Sequence, residues 1–382
     1  MRAGAGISTA RRGAAAGREA AEAALAAASL DRAEAALLFA SADLAPEIEP
    51  LLAAAMDVLG TEDVVGATGL GVHAAGREAA SGVAVLATSG LAARPVLVPE
   101  LRGREAECAA ELREAVGGKP DERDLVLLLP DVASFDPAAL LARLGDDLAP
   151  ATIVGAGAAR AGAAPALQWC GRSVVSGGLA GLVLRGGAAP RVGVTQSCRP
   201  VSGLLGVTRA EGHWVLELDG RPALDVYREV ARGPLAADLR RAAAFLLAAL
   251  PRDAAAPLSP GGYLARHVAG FAEERRAFAL PEPVARGQRL AFALRDAHAA
   301  REDLEAMLQG LGGARPVLGL YLDCCARGAS LFGVDGLEAA YLERALPGVP
   351  VAGLLGSCEI GPVGGRTELL TYTGVLALLD RG

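Results

Sequence analysis

The chain has 382 residues, enough for about two to three domains with sizeable cores. Its net charge is −7 and no basic run occurs, which argues against a nucleic-acid surface. No stretch reaches 18 uninterrupted apolar residues, so no membrane span is expected. Six cysteines spread over this length, with Cys324 and Cys325 adjacent, do not form an extracellular disulfide framework; a reducing cytoplasm is the expected compartment.

The N-terminal Ala-rich stretch is broken by Arg18, Glu19 and Glu22, so it reads as a helix over Gly17–Leu30 and not as a secretion signal. Ala35–Ser41 is a buried strand, because its apolar run is continuous and not alternating. Ile48, Leu51, Leu52, Met56 and Leu59 follow a 3.6 period, with Gly60 as stop and Pro46 and Pro50 disturbing the first turn. Two glycine-punctuated strands follow, VVGATGLG from Val64 and GVAVLAT from Gly82. Asp124–Asp131 is a second buried strand. Asp136 and Pro137 then open a helix as cap and first residue, Leu140, Leu141 and Leu144 form its inner face, and Gly145 is expected to end it. Strands over Thr152–Arg160 and Leu179–Gly186 complete the same outline.

Sheet patterning continues from Arg191 to Leu218 and ends in the Asp219-Gly220 turn. Arg221–Leu250 reads as helical, with Leu235, Leu239, Ala243, Leu246 and Leu247 in register. A Pro/Ala/Gly/Ser loop over Asp253–Gly262, a strand from Arg289 and a helix capped by Asp296 come next. From Pro316 to Asp380 the strand–helix–strand–strand outline appears a third time. The expected fold is therefore α/β (mixed α+β): two domains, 1–221 and 222–382, built from repeated β-α-β-β units with mixed sheets and helices on their outer faces.

Chemical motifs are sparse. Gly155-Ala156-Gly157 is followed by Arg160 and a Gly/Pro-broken stretch where a dinucleotide site needs a third glycine and a helix. No P-loop, nucleophile elbow or paired zinc-type cysteines occur, and neither cofactor nor metal is expected. The four histidines do not cluster; His73 alone follows a strand-end turn, and His298 lies on a charged helix. Cys324, Cys325 and Cys358 fall at the ends of two strands that this scheme makes neighbours, as pocket lining or as nucleophiles. Glu359, in apolar surroundings beside a Gly-Pro turn, needs a partner. Arg327, four residues after Asp323, would be an internal one, and a ligand ammonium a functional one.

Several segments together resemble FIST-domain proteins (F-box and intracellular signal transduction). In the first half they are LLFASADLAPEIEPLL, VVGATGLGVHAAGREAASGVAVLA and VGVTQSCRPVSGLLGV; in the second, YLARHVAGF, CCARG, LPGVPVAGLLGSCEIGP and TYTGVLALL. The resemblance covers nearly the whole chain after about residue 5 and implies a cytoplasmic sensory or signal-transduction module that binds a small ligand, with an amino acid as the candidate, in a cleft between sheet ends. It implies no established catalysis. The family's Cys-x-x-Arg pattern lands on Cys324 and Arg327, and its Gly-Glu-Ile pattern on Cys358, Glu359 and Ile360; Cys358 stands where the family usually has Gly. The candidate ligand-binding residues are Arg327, Glu359, Cys324 and Cys358, then Thr68, His73 and Gln196. The expected partners are a small molecule and a signalling protein that reads the output, with no nucleic acid and no membrane. The alternative is a thiol-dependent enzyme with Cys324 or Cys358 as nucleophile.

Overall fold

Three stretches of the chain fold by one plan, and each lends part of itself to another. The computed structural model describes residues 1–134, 136–253, 258, 259, 261–313 and 315–382. The first repeat runs β1 (Arg2–Ser8), α1 (Gly13–Ala28), β2 (Ala35–Ser41), α2 (Ile48–Leu59), β3 (Val64–Gly69), a hairpin of β4 (Val72–Ala74) and β5 (Arg77–Ala79), and β6 (Val83–Ser89). The second runs β7 (Ala92–Val98), α3 (Glu105–Val116), β8 (Leu125–Pro130), α4 (Pro137–Asp147), β9 (Thr152–Ala156), the hairpin β10 (Gln168–Cys170) and β11 (Ser173–Val175), and β12 (Leu179–Arg185). The third opens with β13 (Arg191–Gln196) and is then interrupted.

The interruption is the compact unit Thr195–Leu304; the rest, Met1–Val194 with Glu305–Gly382, forms the other unit. The interrupting segment contains β14 (Cys198–Pro200), β15 (Leu205–Glu211), β16 (Trp214–Leu218), β17 (Arg221–Pro222), three short helices α5 (Ala223–Ala231), α6 (Gly233–Ala237) and α7 (Leu239–Ala243), then β18 (Leu246–Pro251), β19 (Tyr263–Arg266), β20 (Gly270–Ala272), β21 (Ala277–Ala279) and β22 (Arg289–Arg295). Its sheet order is β19-β18-β22-β15-β16-β21-β20, with β14 on β22 and β17 on β16. Tyr227 packs against Phe271, Phe278 and Phe292 at ring separations of 5.3, 5.8 and 5.4 Å. The Asp219-Gly220 turn forms as expected, with φ of 48° and 76° joining β16 to β17.

The continuous helix expected over Arg221–Leu250 does not form. Arg232, at φ 48°, and the extended Asp238 divide it into short pieces, and the apolar run at its end becomes β18, buried between β19 and β22. A short apolar run suits a buried strand as well as a helix face. The loop expected over 253–262 lies partly outside the described residues.

The third repeat resumes with α8 (Ala297–Gly310), β23 (Leu318–Cys324), α9 (Gly328–Phe332), α10 (Leu337–Ala345), β24 (Val351–Gly356), the hairpin β25 (Glu359–Val363) and β26 (Arg366–Leu370), and β27 (Thr373–Leu379). Asp296 caps α8 by accepting from the N–H groups of His298 and Ala299. Asp136 caps α4 in the same way, with Pro137 at its first position, but α4 runs through Gly145 to Asp147 because Leu148 continues the buried stripe of Leu141 and Leu144. A 3-10 turn over Ala42–Glu47 absorbs Pro46 ahead of α2, and Gly60 closes that helix at φ 69°.

In every repeat the two long central strands are parallel, and the last strand returns antiparallel beside the first: β2 with β3 and β6, β8 with β9 and β12, β23 with β24 and β27. β2, β8 and β23 are buried at every position, as strands covered on both faces must be. Helices α1 and α2 cover one sheet, and α3 and α4 another.

The hairpins do not stay at home. The sheet orders are β1-β6-β2-β3-β10-β11, β7-β12-β8-β9-β25-β26 and β13-β27-β23-β24-β4-β5. Each repeat thus completes its sheet with the hairpin of a different repeat, in a closed cycle of three. Thr68, Gly157 and Leu355 make the same backbone pair in each crossing: their N–H groups donate to Leu167, Cys358 and Gly71, and their carbonyls accept from Ala159, Ser357 and Leu70. Two residues earlier, Gly66, Gly155 and Gly353 occupy equivalent places. A Cβ there would sit 1.6, 2.2 and 1.7 Å from the carbonyl oxygens of Leu38, Leu128 and Tyr321. Only glycine lets the parallel strands approach so closely.

Gly353→Ala is therefore expected to destabilise the fold by about 1–3 kcal/mol, since neither strand can yield. Gly145→Ala, in open space within α4, is expected to stabilise it by about 0.5–1 kcal/mol. Urea unfolding of both variants checks the pair of signs.

Candidate functional site

The C-terminal end of β23 carries the densest group of buried polar side chains among the described residues. Alternation along the strand puts Tyr321 and Asp323 on the face covered by α10, and Leu322 and Cys324 on the other. Two clusters result.

On the helix-covered face, Arg327 lies at the start of α9, is 1% exposed, and is surrounded by carboxyl groups. Its Nη2 is 2.5 Å from Glu338 Oε1, and its Nε is 3.0 Å from Asp323 Oδ1. The Tyr321 hydroxyl donates to the same Glu338 oxygen at 2.7 Å. The guanidinium also lies over the Phe332 ring, 5.8 Å from its centroid. Burial works against Glu338 ionisation, but the Arg327 charge and the hydrogen bonds from Asp323, Arg327 and Tyr321 outweigh it and hold this carboxyl below its usual range. Burial and the Glu338 charge push Asp323 far up, so of the two carboxyls it is Glu338 that favours carrying the negative charge facing Arg327.

The exchanged hairpin brings in two more titratable groups. His73, on β4, lies 5.2 Å from the Tyr321 ring, and burial pushes it down to about 4 despite Tyr321 and Glu338. Glu78, its partner across the hairpin, is raised to about 7 by burial first, then by Glu338 and Asp335.

On the opposite face, Glu359 is fully buried. Its Oε2 accepts from the Thr373 hydroxyl at 2.6 Å and from the Thr373 N–H at 3.3 Å. Its Oε1 is buried with no hydrogen-bond partner. Burial, then the neighbouring Cys324, pushes this carboxyl well above its ordinary range, against the pull of Thr373. Cys324 receives the Tyr372 N–H at 3.4 Å.

The FIST N domain model matches residues 34–221 and the FIST C domain model residues 223–362. The chain belongs to the FIST family. FIST domains are signal-transduction sensor domains thought to bind small ligands. An uncharacterized protein of Mycobacterium tuberculosis strain H37Rv is 35% identical over 263 residues, covering 67% of this chain and 68% of that one. An uncharacterized protein of Mycobacterium bovis is 32% identical over 265 residues, covering 67% of each.

In this FIST chain the expected site residues separate into four places. Arg327 and His73 belong to the helix-covered cluster. Glu359, Cys324 and Cys358 belong to the strand-end cluster, so Arg327 neutralises Glu338 and Asp323 while Glu359 rests on Thr373. Thr68 is used up by the first crossing, where its Oγ1 donates to Ala159 at 2.7 Å and accepts from the Leu167 N–H at 3.0 Å. Gln196 lies in the interrupting unit, where its amide bridges the Tyr263 carbonyl and the Gly261 N–H at 2.8 and 2.9 Å. Cys358 is held as a thiol by burial; Cys324 is held so by its hydrogen bond to Cys325, then by burial. Neither shift favours the thiolate that a cysteine nucleophile needs. Among the described residues no cluster of His, Cys, Asp and Glu is arranged to hold a metal ion, and no helix is long and apolar enough to cross a membrane. A cavity of about 480 Å³ lies at the far end of the second sheet, beside Lys119, Arg123, Asp124 and Arg185. There Arg185 is already bonded to Asp124 through two nitrogens.

Sequence reasoning missed Glu338, Tyr321 and Thr373. The available signal for Glu338 was its position on the α10 stripe with Ala339 and Leu342, four residues before Leu342.

Two outcomes are expected. Arg327→Met strands Glu338 without its cation and costs about 3–5 kcal/mol, and adding Glu338→Leu recovers part of it; chemical denaturation measures both. The second concerns pH. Glu359 keeps its proton in the folded chain above its ordinary value of 4.5, where the unfolded chain has released it. The folded state then binds more protons, so stability falls as pH rises. His73 has the opposite sign: its contribution grows as pH rises from about 4 and is complete above 6.5. The Glu359 contribution is therefore greatest below its ordinary value of 4.5 and declines as pH rises above it. Measured against Glu359→Gln, wild-type stability should fall as pH rises from 4.5, and the difference between the two pH profiles isolates this carboxyl from His73.

Proposed function

We propose that this chain is a cytoplasmic sensor of a small ligand, an amino acid or close relative, received at the strand-end cluster around Glu359. The observation that carries the reading is the Glu359 carboxyl: wholly buried, with one oxygen held by Thr373 and the other without a partner. A buried polar atom left unsatisfied costs on the order of 1–3 kcal/mol, which a ligand group bonded there would return. Cys324 and Cys358 would line the same place, and Cys358, standing where the family usually has glycine, would narrow it. Six cysteines free of disulfides suit a reducing compartment.

Every side chain of the cluster is buried, so the ligand enters through a local opening and its binding favours the closed form. Arg327 acts as a positioning residue: it fixes the chain after β23 through Asp323 and Glu338. The output passes to a signalling partner that distinguishes the two forms.

The test is a thermal-shift screen of the full chain against amino acids and small metabolites. A ligand present at 100 times its Kd adds about 2.7 kcal/mol to folding. A ligand ammonium must take the Glu359 proton off, so its affinity is expected to rise with pH, and Glu359→Gln to abolish both the shift and its pH dependence. Binding that survives in Glu359→Gln would remove the cluster from the reading.

A further inference from the structure

Three thiols meet where β23 and β24 end. Cys324 closes β23, Cys325 follows it, and Cys358 lies just past β24. Cys324 and Cys358 are 3% and 2% exposed, while Cys325 is only partly buried. Cys324 and Cys325 are consecutive, so their thiols hang from the two sides of one peptide bond. The Cys325 N–H is anchored on the Gly356 carbonyl at 2.9 Å, and the Cys324 carbonyl receives the Arg327 N–H at 2.8 Å. The accessible member of this group therefore directly follows a second thiol in the chain, and the peptide that joins them is bonded at both its N–H and its C=O.

We propose that Cys325 is an oxidant-reactive thiol and that Cys324 resolves its oxidised form into a vicinal disulfide, with hydrogen peroxide or an organic hydroperoxide as oxidant. In the first step the Cys325 sulfur attacks the peroxide: an S–O bond forms, the O–O bond breaks, and the departing oxygen leaves as water or alcohol with the thiol proton. Cys325 is oxidised to a sulfenic acid and the peroxide is reduced. In the second step Cys324 attacks the Cys325 sulfur: the S–S bond forms, the S–O bond breaks, and water leaves with the Cys324 proton.

The electrostatics agree with this division of labour. The hydrogen bond from Cys324 draws the Cys325 thiol below its usual range, against burial, while the same bond and burial raise Cys324. A lowered, partly accessible thiol beside a resolving one is the pattern of oxidant-sensitive cysteines. By contrast, burial pushes Cys108 up to about 12.

The geometry also makes the product reversible. Adjacent Cα atoms are about 3.8 Å apart across a trans peptide, short of the roughly 4.4–6.8 Å that an unstrained disulfide spans. The ring must twist the Cys324–Cys325 peptide, and a strained disulfide is the more easily reduced kind. That peptide holds both the Gly356 and Arg327 backbone bonds, so its twisting reaches the crossing at β24 and the start of α9. The inference does not rest on the ligand reading, since it needs neither Glu359 nor a bound molecule.

The test exposes the full chain to hydrogen peroxide, blocks the remaining thiols with N-ethylmaleimide and maps every cysteine by mass spectrometry. The expected result is a peptide containing Cys324 and Cys325 that is lighter by two hydrogens, takes no label and recovers both thiols with dithiothreitol. Cys325 should react on the order of tenfold faster than Cys358. In Cys324→Ser, dimedone should trap the sulfenic acid on Cys325. A disulfide joining Cys325 to Cys358, or first oxidation at Cys108, Cys170 or Cys198, overturns the proposal. So does wild-type Cys325 that stays fully alkylatable after peroxide, a readout that requires no variant to fold.

Discussion

No repeat of this protein can finish its own sheet. β3, β9 and β24 each need a neighbour along one edge, and in every case that neighbour is the hairpin of another repeat. Without it, a buried strand would present a row of unpaired N–H and C=O groups. The backbone pairs at Thr68, Gly157 and Leu355 are thus the constraint on which the three-repeat unit depends. They make the repeats mutually necessary and tie together segments far apart in the chain: β4 with β24, β10 with β3, β25 with β9. The glycines two residues upstream serve the same end, by admitting the close strand approach that precedes each crossing.

The exchange also places the polar groups. β25 leaves the sheet of its own repeat to join β9, yet Thr373, at the start of β27, holds the Glu359 carboxyl. Glu359 therefore belongs by backbone to one sheet and by side chain to another. A change in its charge acts on the joint between them. The incoming β4 does the converse: it carries His73 from the first repeat to Tyr321 and the Arg327–Glu338 pair. Arg327 and Glu359, close in sequence logic, serve opposite faces of β23 and answer to different partners.

The sequence made the repeats legible because β2, β8 and β23 are uninterrupted apolar runs, each followed by a helix and a glycine-rich strand end. The exchange was not legible. The hairpin strands β4, β5, β10 and β11 have three residues apiece, too few for a period to announce a partner, and backbone pairing leaves no trace in side-chain chemistry. The interrupting unit was misread at Leu246–Pro251 for a related reason: a short apolar run suits helix and strand alike, and its neighbours β19 and β22 decided the matter. In the site, Asp323 and Arg327 could be paired by spacing, but Glu338 is a glutamate on an amphipathic helix whose one mark in the sequence is its place on the stripe of Leu342. Gln196 looked like a strand-end ligand group because strand ends were the criterion; a side-chain amide that clamps two backbone groups is just as good a reason for glutamine there.

Comparing equivalent places in the three repeats shows where chemistry was added to a common frame. Opposite Ala67, Ala156 and Leu354, the incoming hairpins present Gln168, Glu359 and Val72. All three are fully buried. The valine is apolar and asks for nothing. The glutamine accepts from the Gly178 N–H and leaves its Nε2 without a partner, just as the glutamate accepts from Thr373 and leaves its Oε1. Gly178 and Thr373 hold corresponding positions, immediately before β12 and at the start of β27. In the second and third repeats the frame thus offers one backbone N–H to the occupant of this slot, whereas in the first the equivalent Gly82 N–H donates to the Ser41 hydroxyl. Only the third repeat adds a hydroxyl to that N–H, a carboxyl to receive both, and thiols alongside. If the slot served packing alone, valine would suffice everywhere, because a buried carboxyl costs stability that valine does not. Two of the three slots are polar, but only the third combines a carboxyl, a hydroxyl and thiols, and that difference is the physical ground for proposing the ligand site at this strand end.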